Sequence, residues 1–281
     1  MPNFFQALFE YAFLQNALLV AWLASLACGI VGTYVVVRRI SYLAGAIAHC
    51  ALGGIGFARY MQVVHGWSAF TPLLGALFAA LIAAWAIGVI QIWASERVDT
   101  AISALWGLGM ASGILFMART PGYATDLMGY IFGNILLATP QDLFFIALLD
   151  GVILLLVLLF HKSFSAVCFD EEFARLRGLP ARALYLLLLL LVALTVVLLV
   201  SVVGIIMVII LLTLPAALAG RFTHRLLPMM GLATLFCAFA TSLGLGFSYQ
   251  FDLPAGAIII FCISLPYLLT LVLKSKKNGS A

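Results

Sequence analysis

Arg38-Arg39-Ile40-Ser41-Tyr42-Leu43-Ala44-Gly45-Ala46-Ile47-Ala48-His49-Cys50-Ala51-Leu52-Gly53-Gly54-Ile55-Gly56-Phe57 opens with two cations and then runs without a carboxylate, a lysine or an arginine. A helix starting near Ser41 places His49 roughly 12 Å in, at 1.5 Å per residue. That is close to the middle of a hydrocarbon layer about 30 Å thick. An ionisable side chain at that depth is costly, and by default it faces the protein interior as a functional group. Gly45, Gly53, Gly54 and Gly56 present no side chain, so other backbone is able to approach this helix closely. The plainer reading is a packed transmembrane helix whose histidine is hydrogen-bonded to a neighbour.

The rest of the chain agrees with a membrane setting. Of 281 residues, 65% are hydrophobic and 9% charged, against about 25% charged in a soluble domain. The hydrophobic runs are long enough to span as helices, and the short alternating segments of a β-barrel are missing. A net charge of +4 reflects charged loops and does not point to nucleic acid. Five cysteines (Cys28, Cys50, Cys168, Cys237, Cys262) show neither a disulfide pattern nor a CxxC metal motif. Residues 1–11 lack the basic start of a cleaved signal peptide, so the first apolar segment is expected to stay in the membrane.

Apolar segments fall at 14–37, 41–59, 70–94, 101–118, 140–160, 226–247 and 254–273. The run 183–220 is about twice one crossing and is split near Ser201 and Gly204, with Pro215 kinking or ending its second half. The total is nine crossings. A short apolar piece at about 125–137, flanked by Pro121, Gly122, Gly133 and Pro140, is expected to be a re-entrant half-helix. If the Arg38–Arg39 turn is cytoplasmic, only Arg59 and Arg119 of the 14 lysines and arginines lie outside. The positive-inside rule then puts the N-terminus outside and the C-terminus in the cytoplasm.

The longest polar interval, 161–182, is on the cytoplasmic side in that scheme. Within it Asp170-Glu171-Glu172-Phe173-Ala174-Arg175-Leu176-Arg177-Gly178 has an acidic start and a basic end, which suits the dipole of a short helix stopped by Gly178 and Pro180. It reads either as a docking element for a soluble partner or as a solvated loop with some helix.

Ser41-Tyr42 with Ala48-His49, Asp126-Leu127-Met128-Gly129-Tyr130-Ile131-Phe132-Gly133, Thr139-Pro140-Gln141-Asp142, Pro215-Ala216-Ala217 and Phe251-Asp252-Leu253-Pro254-Ala255-Gly256 occur in this order. Together they resemble the membrane permease of ABC importers for zinc, manganese and iron(II), over nearly the whole chain. The resemblance implies an all-α polytopic fold similar to that of the vitamin B12 importer permeases, in one domain over 1–281. It also implies a homodimer in a bacterial or archaeal cytoplasmic membrane, with two cytoplasmic ATPase subunits and an extracytoplasmic metal-binding protein as partners. The loop 161–182 would then hold the coupling helix, Asp170 to Gly178, that meets the ATPase. No cofactor is implied for this chain, only a transported divalent metal. Nothing resembles GxxxxGK[ST], so ATP would be hydrolysed by a separate chain.

Members of that family commonly carry an aspartate four residues before the histidine, which puts carboxylate and imidazole on one helical face. Here the position is Gly45, and the pair is broken. His49 would work with ligands from elsewhere or from a second protomer, or the passage would bind its cargo weakly, which conduction tolerates. An imidazole without its carboxylate leans toward zinc over manganese. Asp150, midway along the fifth segment, is either a second passage residue or a structural hydrogen-bonded acid. Asn134 is a further candidate lining residue. Asp126 and Asp252, like Asp142, lie near the outer surface, where a binding protein would dock or where they cap helices. Two other classes stay open: a carrier driven by an ion gradient through His49 and Asp150, and a membrane enzyme or scaffold. No inverted repeat supports the carrier, and ten dispersed acids with four histidines do not make a catalytic set.

Overall fold

The structure, a computed structural model, describes residues 4–93, 98–121, 129 and 133–278. Every regular element among them is helical: α1 (Phe4–Glu10), α2 (Ala12–Val37), α3 (Ser41–His65), α4 (Pro72–Trp93), α5 (Val98–Ala118), a single 3-10 turn (Ile135–Leu137), α6 (Pro140–Phe169), α7 (Glu171–Leu176), α8 (Ala181–Val203), α9 (Ile205–Ala219), α10 (Leu226–Phe251) and α11 (Ala255–Asn278). Helices satisfy their own backbone polar groups, which hydrocarbon cannot do for them. The fold is that of an all-α polytopic membrane protein.

Eight of these helices are long and apolar enough to cross a bilayer. The ninth expected crossing is α9, which has 15 residues and spans only about 22 Å at 1.5 Å per residue. The break between α8 and α9 falls at Gly204, whose φ of 85° is open to glycine and strained for other residues. Pro215 does not end α9, which continues to Ala219. Of the expected half-helix at 125–137, the described residues are Gly129, which is helical and accepts from the Gly133 amide at 2.8 Å, and 133–137, which hold the 3-10 turn; the remainder, Asp126 included, lies outside the described residues.

The interval 161–182 is not a loop throughout. α6 runs on through residues 161–169 for a total of 30 residues. Its start is fixed by a reciprocal capping box, Thr139 with Asp142. Its far end is held because Phe164 and Val167 are buried and the Tyr34 hydroxyl meets Nδ1 of His161 at 2.9 Å. The polar character of the interval suggested a loop, but a helix with one buried stripe accepts Lys162, Ser163 and Ser165 on its other faces.

α2, α3 and α8 are the most enclosed spans, and α5, α6 and α11 leave broad faces uncovered. α3 packs on α4, α5 and α8, whereas α6 packs on α2 and α8. The α3 contacts are close because backbone meets backbone. A methyl group built on Gly54 would fall 2.0 Å from the carbonyl oxygen of Gly75 in α4, and one on Gly53 would fall 2.7 Å from that of Gly109 in α5. Without a hydrophobic drive between helices in lipid, such close approach is what holds them. The histidine helix is thus clamped on two sides.

Candidate functional site

Tyr42, Gly45 and His49 recur at three, four and seven residues, so they line one stripe of α3. That stripe faces α5. The His49 imidazole stacks on the Trp106 indole with ring centroids 4.9 Å apart and planes inclined by 21°. Its Nδ1 is buried and has no hydrogen-bond partner. A buried ring nitrogen left unpaired is unfavourable, and a passing cation is one species able to satisfy it. A Cβ at Gly45 would lie 3.5 Å from the same indole and 3.8 Å from Cδ1 of Ile209. Both distances are ordinary contacts, so position 45 opens onto the face that carries His49 and Trp106. The Cys50 thiol is turned to the Leu105 carbonyl oxygen at 3.5 Å and does not join His49.

Asp150 is 4% exposed, and neither carboxylate oxygen has a hydrogen-bond partner. It lies within electrostatic range of Cys28 on α2. The two ionisable groups in the middle of spans therefore occupy different helix interfaces, because α3 and α6 do not form a packed pair. Among the described residues no three His, Cys, Asp or Glu side chains gather as a metal cluster. At the opposite end of α3 from Arg38, Asn134 accepts from the Leu136 amide at 3.3 Å. Asn134 lines two clefts, one of about 290 Å³ shared with Asp142 and one of about 580 Å³ shared with Asp252. Asp252 ends α10 in the left-handed region, at φ 51°.

The basic end of the bundle holds α7. Asp170 caps it, accepting from the Phe173 amide at 2.9 Å, and Gly178 follows it with φ 75°. Ala174 is fully buried against the bundle, while Phe173 and Leu176 stand out at 48% and 83% exposure. Glu172 is exposed, and the Arg177 guanidinium lies 5.0 Å from the Phe173 ring centre. Glu171 bridges Arg175 in its own helix and Arg38 at the end of α2. Burial alone would raise the Glu171 carboxyl, but hydrogen bonds from Arg175 and Arg38 outweigh it and hold the group below the ordinary glutamate value. Glu171 is therefore ionised, and paired, at neutral pH.

Two of these residues escaped the sequence. Trp106 gave no signal beyond being a tryptophan within a span. Arg38 was noted as a topological cation, not as the partner of a carboxylate 133 positions away.

Comparison with known proteins places this geometry. The model of the ABC 3 transport family matches residues 10–274. A membrane protein of Synechocystis sp. is 42% identical over 269 residues, covering 94% of this chain and 92% of that protein. The manganese transport system membrane protein MntC of Halalkalibacterium halodurans is 32% identical over 275 residues, covering 98% and 92%. The structure of PsaBC from Streptococcus pneumoniae in complex with Fab is 32% identical, with a TM-score of 0.83 over 95% of this chain and 93% of that one. With matches of this length in both sequence and fold, the chain belongs to the ABC 3 transport family and is a multi-span membrane permease.

Proposed function

We propose that this protein is the permease subunit of an ATP-driven importer of divalent transition-metal ions in a bacterial cytoplasmic membrane. Two copies pair, two cytoplasmic ATPase subunits dock on them, and an extracytoplasmic metal-binding protein delivers the cargo. The observation that carries this reading is the His49 ring nitrogen, buried mid-span without a partner on a stripe with space at Gly45. An imidazole is a good ligand for a borderline divalent cation, and one or two ligands hold it loosely enough to let it leave. We place delivery at the outer cleft that Asn134 and Asp252 share, and we do not require Asp150.

Docking of the ATPase falls to α7, which presents Phe173 and Leu176 while Ala174 anchors it. Apolar side chains that stand out on a short polar-ended helix suit a partner's groove. With the permease co-expressed beside its ATPase, the pair is expected to co-purify, and Phe173→Asp with Leu176→Asp is expected to abolish this. Co-purification that survives both substitutions would remove α7 from the interface.

The cargo metal follows from two observations that pull apart. The relative from H. halodurans is named for manganese transport, whereas a lone imidazole favours zinc and hard carboxylates favour manganese. Competition among zinc, manganese and iron(II) in reconstituted vesicles decides between them. Gly45→Asp is a sharper test, since the Cβ meets only ordinary contacts and the new carboxylate shares the face of His49. Manganese uptake relative to zinc is expected to rise several-fold, about 3–10-fold for roughly 1 kcal/mol of added ligand preference. An unchanged ratio would mean that position 45 does not touch the ion.

A further inference from the structure

The Glu171 contacts continue beyond α7. Arg38, which Glu171 grips, also lies over the Tyr185 ring of α8 with its guanidinium carbon 5.5 Å from the ring centre. The Tyr185 hydroxyl donates to Oε1 of Gln91 near the end of α4. Nε2 of Gln91 in turn donates to the Tyr42 hydroxyl at 3.2 Å, and Tyr42 faces Asp99 in the first turn of α5. A run of one ion pair, one cation–π contact and two hydrogen bonds therefore joins the short helix to the first turn of α3. It arrives on the stripe that carries His49, because Tyr42 and His49 are seven residues apart and fall on one helical face. Asp99 and Trp106 repeat the same seven-residue spacing on α5, so the α3–α5 seam is gripped at two points seven residues apart, one by this network and one by the ring stack.

We infer that Arg38, Glu171, Tyr185, Gln91 and Tyr42 form a transmission strap, in which displacement of α7 is passed to the Tyr42–His49 face of α3. Arg38 and Glu171 are its positioning residues. The inference rests on the proposal that an ATPase pushes on α7, and it adds the route by which that push reaches the ion. Partly exposed ion pairs contribute little to stability, so a purely structural role is a poor explanation for placing two here. A network of polar contacts with two arrangements is, by contrast, a means of carrying a coupling free energy between sites. Arg39, directly after the gripped cation, adopts φ 60°. The α2–α3 corner is thus a tight turn, closed by hydrogen bonds from the Arg39 and Ile40 amides back to the Val36 and Val35 carbonyl oxygens at 3.1 and 2.9 Å.

The test measures metal uptake and ATP hydrolysis together, in vesicles holding the complete transporter. For Arg38→Gln, which lies outside α7 and removes the cation that both Glu171 and the Tyr185 ring hold, and separately for Tyr185→Phe, ATPase docking and the rate of hydrolysis are expected to stay within about twofold of wild type. Metal carried per ATP is expected to fall at least about fivefold, the lower end of ordinary coupling between distant sites. Tyr185→Phe keeps the ring and every charge, so it breaks the strap with little effect on folding. Arg38→Lys keeps a cation between Glu171 and the Tyr185 ring and is expected to retain most of the ratio, although it loses the packing of the guanidinium plane. A ratio that stays at the wild-type value in both single variants overturns the strap. A wild-type complex that hydrolyses ATP but moves no metal would instead overturn the importer reading, and the two failures are told apart in the same assay.

Discussion

Vesicles carrying His49→Ala are expected to take up metal at least about tenfold more slowly than wild type, while the ATPase subunit still co-purifies with the permease. Removing an outer-shell partner of a metal ligand already costs about 10–100-fold, so removing the ligand proposed here should cost no less. Alanine also leaves a void beside Trp106, and a void destabilises through lost contacts. His49→Phe separates the two effects. A phenyl ring keeps the stack on the indole but offers no lone pair. It is expected to match alanine in uptake and wild type in thermal stability. Direct uptake of radioactive or fluorescence-reported metal checks both variants. If the phenylalanine variant transports normally, the imidazole is a packing residue and the unpartnered nitrogen has no part in conduction.

The sequence carried the helices well because length and apolarity are enough for a bilayer to impose them. The split at Gly204 was legible because glycine and serine interrupt an otherwise continuous apolar run. The α6 extension was not, since whether residues 161–169 remain helical depends on Tyr34 receiving His161 and on the surface that buries Phe164, both distant in sequence. His49 was found by depth alone, which is a one-dimensional property. Its neighbour Trp106 needs the α3–α5 register, and that register is set by glycines meeting carbonyl oxygens across the seam. The short helix α7 was legible by its charge order. The face it presents was not, because Ala174 turns inward only through the angle at which α6 and α8 hold α7. Asp150 stood out for the same reason as His49, yet depth does not say which interface a side chain enters, and it entered the one beside α2.

Gly54→Ala is expected to cost about 3 kcal/mol, the upper end of ordinary overpacking, and to separate α4 from α3. The added methyl would sit 2.0 Å from the Gly75 carbonyl oxygen, more than an ångström short of normal contact. A crowded side chain in a core is able to change rotamer, but here the obstacle is backbone, fixed in the hydrogen bonds of α4. The helices must part, and parting them forfeits the close approach that associates helices in lipid. Gly75→Ala meets the Gly54 oxygen at 2.2 Å and is expected to cost the same. The double variant should cost less than the sum, because one separation relieves both clashes. Gly107→Ala and Gly151→Ala meet nothing within 4 Å and serve as controls, neutral or slightly stabilising through helix propensity. Unfolding by SDS in mixed micelles measures the series. Equal midpoints for Gly54→Ala and Gly107→Ala would show that α3 and α4 do not touch at this level. The α4 side of the clamp would then no longer help to explain how α3 is held where His49 stacks on Trp106.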